Sequence, residues 1–124
     1  MLYIQRTINT PTIKFEDGVL MISGRCIPEN AILFFEPLFA YIAEYSKKPF
    51  PLTEVIILLE YSNSSTNRSL MTIFVLLEKI YENGNSVRVN WYYESGDELM
   101  LDLGNDFKTL LRIPFVVEEK DILL

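Results

Sequence analysis

Six consecutive hydroxyl or amide side chains, Ser62-Asn63-Ser64-Ser65-Thr66-Asn67, stand together in this chain and are closed by Arg68. They follow the apolar run Val55 to Leu59 and precede a stretch whose apolar residues, Leu70, Ile73, Phe74, Leu77 and Ile80, recur at helical spacing. A strand feeding a helix at this point sets several hydroxyls at a helix N-terminus. Unpaired backbone N–H groups and the positive end of the dipole favour negative charge there. A phosphate at such a place is either a covalent mark on a hydroxyl or part of a bound ligand. Taken alone, Ser64 and Ser65 also read as ordinary helix caps.

Other chemistries are excluded by what the chain lacks. It has no histidine and one cysteine, Cys26, so zinc clusters and Ser-His or Cys-His nucleophile pairs cannot be assembled. An enzyme using Ser64 as nucleophile lacks an apparent base. No glycine-rich dinucleotide or P-loop run occurs. The acidic residues Glu94, Asp97, Glu98, Asp102 and Asp106 read as a solvated helix face, without the spacing of a calcium loop. The expectation is no metal and no cofactor.

Net charge is −6, and the 11 Lys and Arg residues are dispersed, which argues against nucleic acid and against an anionic membrane as partners. No apolar stretch approaches the roughly 20 residues of a membrane span. The single cysteine suits a reducing compartment, so the expected location is the cytoplasm. Cys26 itself reads as a small buried hydrophobe.

The elements that must position the hydroxyl tract can be read along the chain. Thr12 to Phe15 alternates and stops at Asp17-Gly18, a two-residue hairpin signal, and Val19 to Ser23 returns as the partner strand. Pro28-Glu29-Asn30 opens a helical pattern from Ala31 to Tyr45, with Asn30 or a near neighbour as the expected cap. Pro37 lies inside it and predicts a kink or break near Phe35-Glu36.

Leu52 to Tyr61 reads as a buried central strand, because its apolar run does not alternate. The helix after the tract stops at Asn83-Gly84-Asn85. Ser86 to Tyr93 is rich in β-formers and reads as a strand. A weaker helical region spans about Asp97 to Leu111, interrupted near Gly104, and Phe115 to Glu118 forms a last strand. Residues 1–124 make one domain of α/β (α+β) class, with about five strands in a mixed sheet, three helices and the order β-β-α-β-α-β-α-β. Sites in such sheets lie outside the carboxyl ends of strands, where Asn63 to Arg68 falls.

Four segments carry a resemblance: Thr10-Pro11-Thr12, Pro28-Glu29-Asn30-Ala31, Tyr61-Ser62-Asn63-Ser64-Ser65, and Val87-Arg88-Val89-Asn90-Trp91-Tyr92-Tyr93. In this order they resemble the SiaC family of small bacterial regulatory phosphoproteins. The element order is also similar to the STAS fold of anti-sigma-factor antagonists, which are switched by phosphorylation at the equivalent junction.

The resemblance implies a non-enzymatic partner switch. A dedicated kinase would phosphorylate a hydroxyl just after the junction Asn, and a metal-dependent phosphatase would reverse it. The unmodified form would bind and activate a diguanylate cyclase, tying the switch to cyclic-di-GMP and biofilm control. The family pattern Asn-Thr-Ser-Ser is here Asn63-Ser64-Ser65-Thr66, so Ser64 takes the acceptor's place, with Ser65 and Thr66 as alternatives. On that reading Ser65 or Thr66 also does the capping. Asn63 either satisfies the turn backbone or touches the modifying enzymes.

Arg68, four residues after Ser64, pairs with a phosphate or an acidic partner, or is simply solvated. Met71 and Val75, outside the main apolar stripe, belong to a contact patch or to the core periphery. Trp91 and Tyr93 share one strand face and Tyr92 takes the other, with core packing favoured over ligand stacking. The alternative function is a small-ligand or anion-binding STAS-like module at the same helix N-terminus.

Overall fold

The computed structural model describes residues 1–121. The chain runs β1 (Leu2–Ile4), β2 (Thr12–Glu16), β3 (Val19–Cys26), α1 (Ala31–Tyr45), β4 (Leu52–Ser62), α2 (Ser64–Glu82), β5 (Ser86–Glu94), α3 (Glu98–Leu110) and β6 (Phe115–Lys120). The six strands form one mixed sheet in sequence order. β1, β2 and β3 are antiparallel neighbours, while β3 to β6 are parallel. Strand β1 is the element that the sequence pattern does not reveal, since three residues are too short to show alternation.

The topology decides which face of the sheet is covered. Each parallel step moves one strand further in the same direction, and right-handed crossovers then place every connecting helix on one face. Ring contacts show this. Tyr41 and Tyr45 of α1 pack on Phe15, Phe74 of α2 on Phe115, and Phe107 of α3 on Trp91, at centroid distances of 5.1, 4.8, 5.5 and 5.5 Å. Phe15 and Phe115 share one cross-sheet row with Leu20, Val55 and Val89.

Among the described residues the other face of the sheet carries no helix, which corrects the reading of β4 as buried on both sides. Val55, Ile57 and Leu59 are fully buried, whereas Ile56 and Leu58, pointing the other way, are partly exposed. β4 is central, yet its apolar run alternates in burial.

The hairpin turn follows its sequence signal: Asp17 has φ 52° and Gly18 φ 79°, the left-handed pair that a two-residue turn requires. Neither helix breaks where a break was expected. Helix α1 continues through Pro37, and Asn30 caps it by accepting from the Leu33 N–H at 3.1 Å. The carbonyl that Pro37 leaves without a donor belongs to Leu33, a residue 64% exposed, where water can serve it.

Helix α3 likewise runs unbroken through Gly104. A Cβ at that position would come within 2.6 Å of the Trp91 indole Nε1, so glycine there permits close approach of helix to strand. The indole N–H donates to the Met100 carbonyl at 2.9 Å, locking α3 onto β5. Asp97 belongs to the cap of α3, accepting from the Met100 N–H at 3.1 Å, and is not only part of a solvated face.

Candidate functional site

The hydroxyl tract lies where expected, at the carboxyl end of β4 and the start of α2. The structure divides its members into two sets. Asn63 is the helix cap: its Oδ1 accepts from the Thr66 N–H and its carbonyl from the Asn67 N–H, both at 2.9 Å. Capping therefore falls to Asn63, and not to Ser65 or Thr66. Ser62 Oγ donates to Asn67 Oδ1 at 2.7 Å. Thr66 is fully buried, and its Oγ1 donates to the Cys26 carbonyl at 2.9 Å, tying α2 to the end of β3. These four side chains hold the strand-to-helix turn together.

Ser64 and Ser65 are left over. Among the described residues neither side chain makes a hydrogen bond, and the N–H groups of both residues, at the first two helical positions, are unpaired. Ser64 is exposed and Ser65 half-buried. Thr66, the third hydroxyl considered, is sealed and already engaged, so another protein's active site cannot reach it in this conformation. Of the three hydroxyls, Ser64 and Ser65 are the reachable ones, Ser64 the more open.

Arg68 lies one turn further along α2. It is exposed, and its guanidinium has no ion pair or hydrogen bond among the described residues. Met71 is partly buried against the core, and Val75 is 38% exposed, so only Val75 presents a substantial apolar surface. Trp91 and Tyr93 face the helices as alternation predicts, while Tyr92 lies on the open face with Lys120 Nζ 4.5 Å from its ring centre.

One feature of the surroundings is absent from any local motif. A cleft of about 450 Å³ separates the N-terminal halves of α1 and α2. The α1 side supplies Asn30, Ile32 and Phe39, and the α2 side Ser65, Arg68 and Ser69. Nothing in the sequence pairs Ile32 with Arg68, since that depends on how two helices pack over the sheet. Cys26 lies under the turn, where burial pushes its thiol up to about 11, the neighbouring Thr66 hydroxyl offsetting part of the effect. The thiol is therefore protonated at neutral pH and is a poor nucleophile. Among the described residues no group of three or more metal-ligating side chains occurs, and no helix is long and apolar enough to cross a membrane.

This arrangement matches a known family along nearly the whole chain. The model for SiaC family regulatory phosphoproteins matches residues 4–120. The chain belongs to the SiaC family. An uncharacterized protein of Pseudomonas aeruginosa (strain UCBPP-PA14) is 27% identical over 122 residues, covering 97% of both chains.

Two solved SiaC structures from Pseudomonas aeruginosa share the fold. One is SiaC as the activator in complex with the diguanylate cyclase SiaD, at a TM-score of 0.89 and 26% identity over 97% of this chain and 100% of that one. The other, of SiaC, gives a TM-score of 0.88 at 26% identity over 96% and 98%. The SiaC family and the mixed sheet with three helices implied by the sequence are thus both established, with six strands in place of about five.

Proposed function

We propose that this chain is a non-enzymatic partner switch: it is phosphorylated on Ser64, and its unphosphorylated form docks and activates a diguanylate cyclase. The observation that carries the reading is the division within the hydroxyl tract. Four members are bound into the turn, while Ser64 remains exposed and unengaged beside free helix N–H groups.

A phosphoryl group added there brings about −1.5 to −2 charges and three acceptor oxygens. Helix N–H groups and the dipole receive that charge at little cost to the fold. A partner that buries this surface meets an unpaired charge, which is expensive to desolvate. The cyclase as partner is supported by the SiaC–SiaD complex, whose activator shares this fold over 97% of this chain. A kinase and a metal-dependent phosphatase acting on Ser64 complete the cycle.

Two measurements test the reading. Mass spectrometry of the protein from its own cells should find phosphate on Ser64, and a Ser64→Ala variant should escape the native kinase. Cyclase activity should rise with unmodified protein and stay basal with protein carrying phosphoserine at 64. Equal activation by both forms, or normal phosphorylation of Ser64→Ala, would overturn it.

A further inference from the structure

The cleft between α1 and α2 holds two polar groups whose bonding is incomplete. Ser69 is 3% exposed, lines the cleft and has no side-chain hydrogen bond among the described residues. The hydroxyl is not sealed, since no fully buried side-chain oxygen lacks a partner among the described residues; it opens to the cleft, where a guest can replace water as its partner. Arg68, on the same wall, has no ion pair among the described residues, in a chain of net charge −6. Around them lies apolar surface: Phe39 inside the cleft, and Ile32 at its rim, 72% exposed. Glu29 also lines the cleft, beside the start of α1. It disfavours a second acid near itself, so a guest's carboxylate belongs on the α2 wall.

Ser64 stands four residues before Arg68, on the same helix face. A phosphate on Ser64 and a carboxylate in the cleft would therefore compete for one guanidinium. We propose that this cleft is the dock for an apolar, carboxylate-bearing segment of the partner protein, held by Arg68 and Ser69, and that phosphate on Ser64 closes the dock by taking Arg68. This rests on the reading of Ser64 as the modified residue, and adds where the partner sits and how the mark acts there. The arginine serves two anions in turn. Arginine suits both, because its planar donors match carboxylate and phosphate alike.

The first test needs no partner and no kinase. Phosphoserine is installed at position 64 by genetic encoding, and its phosphorus resonance is titrated with Arg68 present and in the Arg68→Gln variant. The second phosphate ionisation, about 6 for free phosphoserine, should lie about one unit lower beside Arg68 and return in Arg68→Gln. Identical titrations in the two backgrounds overturn the proposal whether or not Ser64 is the natural mark.

The second test uses the unmodified full chain and the diguanylate cyclase of the same cells. Ile32→Asp and Arg68→Glu, from opposite walls, should each weaken binding about tenfold or more, whereas Arg68→Lys should retain most of it. Ile32 is exposed in the first turn of α1, where an acid suits the helix, so Ile32→Asp should fold normally. Wild-type binding matched by a folded Ile32→Asp variant sinks the dock alone. A wild-type chain that binds no cyclase removes the proposed partner, and the dock with it.

Discussion

The Thr66 hydroxyl donates to the Cys26 carbonyl at 2.9 Å, joining the first turn of α2 to the last residue of β3 across 40 positions of sequence. Both residues are fully buried. Thr66→Val keeps the side-chain shape and deletes the hydroxyl donor to a buried carbonyl. The expected loss is about 1–3 kcal/mol of stability, read by urea denaturation. Phosphate incorporation at Ser64 should be unchanged in the folded fraction, since Thr66 contributes no reachable hydroxyl.

Neighbouring residues in the tract should separate cleanly by substitution. Asn63→Ala removes the cap that receives the Thr66 N–H and should cost about 1 kcal/mol. Ser64→Ala touches no bond and should shift stability by less than about 0.5 kcal/mol, while abolishing phosphorylation. Thermal unfolding of the two variants, run beside a kinase assay, checks both halves. A Ser64→Ala variant as unstable as Asn63→Ala would mean that Ser64 holds the turn.

What could be read from the sequence, and what could not, follows from the range of the interactions. The Asp17-Gly18 hairpin, the Asn30 cap and the Asn83-Gly84 stop are local backbone requirements, and each occurs where its residues predict. The junction of β4 and α2 was equally visible. The roles within it were not, because Thr66 is spent on Cys26, a partner from another element. The breaks that Pro37 and Gly104 suggest fail to appear for the same reason. Propensity marks both as breakers, while packing of α1 on Phe15 and of α3 on Trp91 holds their helices together. The cleft depends on two helices that meet only in the fold.

Gly104 supplies a direct measure of that tertiary constraint. In an isolated helix, Gly→Ala stabilises by about 1 kcal/mol. Here the added methyl would overlap the Trp91 indole, whose N–H is fixed on the Met100 carbonyl. Gly104→Ala should therefore destabilise the protein by about 1–3 kcal/mol, with a shift in tryptophan fluorescence as α3 is displaced. Trp91 is the chain's sole tryptophan, so the emission reports this contact without interference.

Alkaline pH should weaken the fold through Cys26. Its thiol is pushed up to about 11 in the folded chain from an ordinary 9.0, chiefly because burial penalises the thiolate. Between those values the unfolded chain has released the proton while the folded chain retains it. The unfolded state then binds fewer protons, and stability falls as pH rises. The contribution is complete below pH 9 and declines progressively towards pH 11. Urea denaturation at pH 8, 9.5 and 10.5, compared with Cys26→Ala, isolates the effect, since tyrosine and lysine ionisation is common to both proteins. The wild-type curve should drop below the variant's trend as pH rises. Parallel curves would show that the thiol is hydrated in the folded state.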